Sequence, residues 1–283
     1  MAIYDCFQYF NEDHMVDLRL HILEKYVDYF VISESTKTHQ GDEKKLNFDI
    51  KNFSKFKNKI KYVVADFDKT KDYDRGRLID YKHKWGESLI EQHQRNNISN
   101  GIKEASDNDL IILSDSDEIP DLDKLNQVDK KAKFIAFSQM MFMYKLNLQN
   151  TSETNWIGSR MCLKKYFPST PISPFIPFPQ KLRNMKFKKY PSWRLDKPKT
   201  QLISGGWHFS FLQTTSDIIK KIKSFSHGEF NTAEIVDKKN IEDKILNGED
   251  IFNRGFELKK IPINSSYPIY IQQNKDELFE WIA

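Results

Sequence analysis

A chain of 283 residues can bury one large core or two joined ones, and its 39% hydrophobic and 13% aromatic content excludes wholesale disorder. Lysine and arginine total 44 against 40 acidic residues, a net charge of +4. The lysine runs (Lys44-Lys45, Lys164-Lys165, Lys188-Lys189, Lys220-Lys221) are scattered rather than gathered into a stripe, so they read as solvated surface and no stable nucleic-acid binding is expected.

Residues 2–9 form a short apolar strand. Over residues 12–24, Met15, Leu18 and Ile22 share one helical face with Val16, Leu20 and Leu23 beside it, and Asn11 is the expected N-cap. The nearly continuous apolar run 29–33 predicts a strand buried on both faces. A third strand is expected at 60–64. A long helix follows from about Trp85 to Ala105, carrying Trp85, Leu89, Ile98, Ile102 and Ala105 inward. The fourth strand, 110–113, runs straight into Asp115-Ser116-Asp117-Glu118. This succession predicts an α/β fold with a mostly parallel central sheet flanked by helices. Such sheets bind ligands beyond the carboxyl ends of their strands, which is where the acidic turn falls.

The second half changes character. Residues 133–145 read as an aromatic and methionine-rich strand, and the prolines between 168 and 179 require a loop. Residues 203–211 contain Gly205-Gly206-Trp207-His208. A helix beginning near Thr215 or Ser216 then carries Ile218, Ile222 and Phe225. Without repeats or a low-complexity linker, one domain over 1–283 is expected, with a nucleotide-binding half (1–120) and an acceptor-side half (121–283). Cys6 and Cys162 lie in apolar contexts without ligand spacing, so both are expected as buried free thiols. No basic stretch followed by an apolar core opens the sequence. Nor does any apolar run approach the roughly 18 residues of a membrane span, so a cytoplasmic location is expected.

The acidic turn carries the strongest chemical signal. Three carboxylates within four residues repel one another unless they are solvated or hold a cation. Oxygen-rich sites of this kind suit Mn²⁺ or Mg²⁺, and a diphosphate needs such an ion to offset its charge. The bland alternative is an exposed loop capping the segment after Pro120. An EF-hand is excluded because Ile119 and Pro120 break its pattern. A phosphoaspartyl-type phosphatase would want Thr or Val at position 119 and stays as the enzymatic alternative. Gly205 and Gly206 allow close backbone approach to a ligand. His208 is either a third protein ligand for the metal or a satisfied core histidine.

Several blocks together resemble glycosyltransferase family 17, which includes the β-1,4-mannosyl-glycoprotein β-1,4-N-acetylglucosaminyltransferases. They begin with Tyr4-Asp5-Cys6-Phe7-Gln8-Tyr9-Phe10-Asn11-Glu12 and Asp17-Leu18-Arg19-Leu20. The stretch from Val27 to Thr38, Gln94-Arg95-Asn96 and Leu113 to Pro120 follow, then Gly205 to Ser210 and Ser224 to Phe230. The resemblance implies a GT-A type fold, a UDP-sugar donor (UDP-GlcNAc first), a divalent metal and inversion at the anomeric carbon. It assigns Asp115, Asp117, Glu118 and His208 to the metal, with Asp115 also able to meet the ribose. Glu34 and Arg95 are placed toward the nucleoside, although Arg95 could instead pair with a neighbouring carboxylate. Gly205, Gly206 and Trp207 would lie at the donor, Trp207 either stacked on a sugar or packed in the core. Arg75 and Arg77 could touch phosphates or be surface charge.

Inverting transfer requires a general base, for which Glu153, Glu229 and Asp250 are alternatives; His227 could bind phosphate or position its loop. The acceptor is expected to be a glycan, a lipid-linked precursor or another hydroxyl compound. Mild basicity leaves peripheral contact with an anionic membrane open. The alternative outside catalysis is a nucleotide-sugar-binding module that has lost turnover.

Overall fold

Alternation along the first strands decides how the sheet is covered. In the computed structural model, which describes residues 1–67, 89–167, 178–185, 187 and 200–283, β1 (Ile3–Tyr9) lies between β2 (Tyr29–Ser35) and β4 (Leu110–Ser114). The strand β3 (Ile60–Ala65) lies at the edge beyond β2, and all these pairings are parallel. Phe7, Phe30, Ile32 and Ile112 point to one face, where they pack with Met15, Leu18 and Ile22 of helix α1 (Asp13–Leu23). Tyr4, Cys6, Val31, Ile111 and Leu113 point to the other, against Ile98 and Ile102 at helix α2 (Leu89–Gly101) and just beyond it. Side chains of successive strand residues alternate between faces, so apolar residues at every position require a helix on each side.

The strand β8 (Trp156–Leu163) pairs antiparallel with β4 on one side and β6 (Phe134–Met143) on the other. It thereby joins the parallel half to a mixed second half. There β7 (Leu148–Asn150) and β10 (Leu258–Lys260) extend the sheet antiparallel. The long strand β9 (Thr200–Ser210) runs parallel to β6 and antiparallel to the short β5 (Glu118–Pro120). A third core gathers Met141, Met143, Tyr144 and Phe211 under helices α4 (Thr215–Ser224) and α5 (Lys238–Asn247), through Ile218, Ile222 and Ile241. Among the described residues the remaining α-helices are α3 (Phe178–Arg183) and α6 (Ile269–Gln273). The expected α/β class is present, and among the described residues the parallel pairings are those of the first four strands and of β6 with β9.

Three local expectations change. Asn11 does not cap α1: the helix starts at Asp13, and the Glu12 carboxylate turns back to accept the Phe10 and Asn11 N–H groups at 3.0 and 3.2 Å. Ile102 and Ala105 lie beyond the end of α2, while Trp85 is outside the described residues. Pro179 is helical within α3, and the prolines before it are outside the described residues. Both cysteines are buried free thiols whose pKa values burial raises. No helix of the described residues is long and apolar enough to cross a membrane.

Candidate active site

The site forms where the parallel half meets β9. After Ser114 the chain turns through Asp115, Ser116 and Asp117 and re-enters the sheet as β5, with Glu118 directly opposite His208. The Phe209 N–H donates to the Asp117 carbonyl at 2.9 Å, and the Asp115 N–H donates to Glu118 Oε2 at 3.1 Å. Beneath the turn, Arg19 from α1 is wholly buried. Its guanidinium holds both Asp5 oxygens at 2.6 and 2.7 Å and donates to the carbonyls of Asp115, Ser116 and Glu118 at 3.3, 3.3 and 2.5 Å. A planar fork of donors suits three carbonyls converging in one turn.

The carboxylates of the turn divide into two sets. Asp117 Oδ1 faces His208 Nε2 at 3.5 Å, and its Oδ2 lies 3.6 Å from Lys221 Nζ, which is also 3.5 Å from Glu12. Burial alone would raise the Asp117 pKa, but the charges of Lys221 and His208 reverse this and hold it well below the usual carboxylate range. Burial would likewise lower the His208 and Lys221 pKa values; Asp117 outweighs it, and both are raised.

Asp115 and Glu118 form the second set. Arg183 of α3 donates to Asp115 Oδ2 at 2.7 Å and to both Glu118 oxygens at 2.8 and 3.1 Å. Arg95 of α2 reaches Asp115 Oδ1 at 3.2 Å while also pairing with Glu91 at 2.7 Å and donating to the Gln180 side chain at 2.5 Å. The Trp156 indole N–H donates to Glu118 Oε1 at 2.6 Å, and its ring lies against His208 with centroids 4.7 Å apart. Against the opposing effect of burial, Arg183 and then Arg95 depress the Asp115 pKa.

A metal can be tested against this donor set. Two ligands held about 2.1 Å from one ion lie about 3 Å apart, so Asp117 and His208 fit as adjacent ligands of a hard-to-borderline cation. Among the described residues no three His, Cys, Asp or Glu side chains converge to hold an ion by themselves. A metal at this pair would have to take its remaining ligands from a bound anion and water.

An open cleft of about 250 Å³ lies over the turn, lined by Asp115, Asp117, His208, Arg95, Lys221 and His227 among others. Other anticipated site residues fall elsewhere. Glu34 is fully buried, and its carboxylate accepts from the Asn47 and Phe48 N–H groups at 2.7 and 3.1 Å and from the Tyr62 hydroxyl at 2.8 Å, while Lys44 pairs with it. Gly206 (φ +116°) brings β9 onto β5; a Cβ there would stand 2.4 Å from the Ile119 carbonyl. A Cβ on Gly205 would meet Lys124 and Asp121 side chains. Trp207 points away from His208, as alternation demands. Its indole N–H donates to the Ser266 carbonyl at 3.0 Å, and it lines a separate groove of about 460 Å³.

Of the three carboxylates offered as base, Glu229 pairs with His227 Nδ1 at 2.9 Å. Asp250 is buried and tied to Arg254 at 2.9 and 3.0 Å. Glu153 follows β7, its N–H bonded to the Asn150 side chain at 3.1 Å. Arg75 and Arg77 lie outside the described residues.

Four participants carry weak signals in the sequence. Arg19 sits between two leucines of α1, a placement that does not by itself say where its charge goes. Lys221 read as solvated surface; it instead takes part in the Asp117 cluster because α4 turns that edge toward the cleft. Trp156 and Arg183 have no local signature, since tertiary pairing alone brings them to Glu118.

A strand-end acidic turn faces a histidine and is ringed by arginine and lysine, on an α/β sheet. The profile of "Glycosyltransferase family 17" matches residues 1–170, and the chain belongs to that family. Among solved structures the chain is similar to glucosyl-3-phosphoglycerate synthase from Mycobacterium tuberculosis, in complex with Mn²⁺, uridine diphosphate and phosphoglyceric acid. The identity is 11% and the TM-score 0.37, over 96% of this chain and 91% of that one. It is also similar to HddC from Yersinia pseudotuberculosis, complexed with GMP-PN, at 10% identity and TM-score 0.35, over 81% and 99% of the two chains. A search of curated proteins gives no match.

Proposed function

We propose that the chain transfers a sugar, GlcNAc first among candidates, from a UDP-sugar to a glycan, lipid-linked or other hydroxyl acceptor, with inversion and with Mn²⁺ or Mg²⁺ bound. The observation that carries this reading is the Asp117–His208 pair at 3.5 Å, at the carboxyl end of β4 in a cleft also lined by Lys221 and Arg95. Family membership supplies the reaction class.

When bound, the metal would be held by Asp117 and His208 and would supply Lewis-acid stabilisation to the departing diphosphate. Lys221 and Arg95 add fixed positive charge along the cleft, where developing negative charge is stabilised without reorganisation. Arg19 keeps the backbone of the turn in place. Asp115 and Glu118 are held by arginines, which makes them positioning groups on this reading and leaves Asp117 as the direct carboxylate ligand. The acceptor oxygen forms its bond to the anomeric carbon as the bond to the diphosphate breaks, and a base takes the hydroxyl proton. Glu229 is favoured among the three candidates because its partner His227 lines the cleft.

Calorimetry of UDP with and without Mn²⁺, on wild type and Asp117→Asn, tests this. UDP should bind at least about tenfold more tightly with Mn²⁺, a difference of about 1.4 kcal/mol, and the substitution should abolish that gain. Metal-independent UDP binding in the wild type sinks the reading.

A further inference from the structure

Next to the acidic turn the cleft continues into a small slot of about 70 Å³, which shares His39, Gln94, Phe10, Phe225 and Lys221 with it. Phe10 follows β1 and Phe225 ends α4, so the slot has an aromatic side chain from each half of the chain. His39 stands on a tight turn closed by the Thr38 N–H to Asp42 carbonyl bond at 2.8 Å and the Gly41 N–H to Thr38 carbonyl bond at 2.9 Å. The neighbouring Gln40 amide donates to the Phe225 carbonyl at 3.3 Å, tying this turn to the opposite wall. Lys37 and Lys44, which also line the slot, are neutralised by Glu43 and Glu34.

The hydrogen bonds around Gln94 determine which atom of His39 is a donor. Gln94 Nε2 donates to the Tyr9 carbonyl at 2.9 Å and the Ser33 carbonyl at 2.7 Å. Carbonyls can only accept, so the amide nitrogen must occupy that position and Oε1 must face His39 Nε2, 2.9 Å away. An amide oxygen in turn only accepts. His39 Nε2 therefore carries a hydrogen, and in the neutral ring Nδ1 is a bare acceptor. Among the described residues no hydrogen bond to Nδ1 is seen; the Glu91 carboxylate lies within electrostatic range of the ring, which lines both the slot and the cleft.

A pyrimidine edge reads this acceptor unambiguously. Uracil presents N3–H at the centre of its pairing edge, whereas cytosine presents a lone pair at the same position. Guanine has an N–H there too, so this acceptor separates uracil from cytosine rather than from guanine. We propose that His39 is the base-selecting residue of the donor site, its Nδ1 accepting the N3–H of a uracil ring held between Phe10 and Phe225. Gln94 is the positioning residue that sets the tautomer. This inference rests on the nucleotide-sugar reading above and adds the group that makes the donor a uridine nucleotide rather than a cytidine one.

The test is calorimetry in Mn²⁺ with UDP, CDP and N3-methyl-UDP, on wild type and His39→Phe. Wild type should bind UDP about tenfold more tightly than either analogue, the value of one well-placed hydrogen bond plus the unpaired group its loss leaves behind. His39→Phe should lose about tenfold for UDP and bind all three within about threefold of one another. Equal wild-type affinity for UDP and N3-methyl-UDP overturns the proposal, as does discrimination that survives in His39→Phe. The methylated ligand is compared with UDP on wild type, so that comparison holds whether or not the variant folds. If wild type binds no nucleoside diphosphate at all, the nucleotide-sugar reading fails and this proposal falls with it.

Discussion

Arg19 is the residue on which the acidic turn rests. It and Asp5 are both fully buried, and removing one member of such a pair leaves an uncompensated charge in the interior. Arg19→Met keeps the length of the side chain but strands Asp5 and three carbonyls, and should cost about 3–5 kcal/mol of stability in urea unfolding. A double variant, Asp5→Leu with Arg19→Met, should recover a large part of that loss, because it removes the orphaned charge. If the single variant is as stable as wild type, the turn does not depend on this pair. Residues of this kind are hard to read from sequence. Arg19 lies in a stretch that resembles the family, yet nothing local says whether its charge meets solvent or an aspartate fourteen residues earlier. Asp115 and Asp117 are the reverse case. Their position just beyond four apolar residues and Ser114 was legible, while their division between arginines and a histidine depends on α2, α3, α4 and β9, which arrive from distant parts of the chain.

At the scale of elements, the first half was largely legible because a parallel sheet buried on both faces imprints itself as unbroken apolar runs. The strands β1 to β4 and helices α1 and α2 follow from that pattern. The second half was less so: β5 has three residues, too few for periodicity to act on, and its partner β9 lies about ninety positions later. The Gly205-Gly206 pair was visible as a place of close approach, but the neighbour approached is the β5 backbone. This makes Gly206 a test of the ladder that carries His208. A side chain there would meet the Ile119 carbonyl at 2.4 Å and would be held at a φ of +116° that L-residues rarely adopt. Gly206→Ala should cost about 2–4 kcal/mol, from backbone strain and overpacking together. Because the strain falls between β5 and β9, UDP affinity in Mn²⁺ should fall as well. A variant with unchanged melting temperature and unchanged affinity would show that β9 can shift without disturbing His208.

Across the whole molecule, the cleft is a seam. The Asp115 and Asp117 turn and Arg95 come from the parallel half, while His208, Lys221 and His227 come from β9, α4 and the turn that follows. These two sets meet only in the folded state, so a ligand that touches both is bound by the native state and not by the unfolded chain. A ligand present at about a hundred times its Kd stabilises such a native state by about 2.7 kcal/mol. For a chain of this size that corresponds to a rise in melting temperature of about 4–5 °C. UDP and Mn²⁺ together should produce this shift in a thermal melt, UDP with a chelator should give much less, and Mn²⁺ alone should give little because Asp117 and His208 are only two ligands. Asp117→Asn should remove the combined effect, and its unliganded melt should fall below that of wild type, since His208 and Lys221 lose the carboxylate that holds their charges in a buried setting. An equal rise with UDP plus chelator would place the diphosphate on the arginine and lysine side chains alone, and would take Asp117 and His208 out of the metal's coordination.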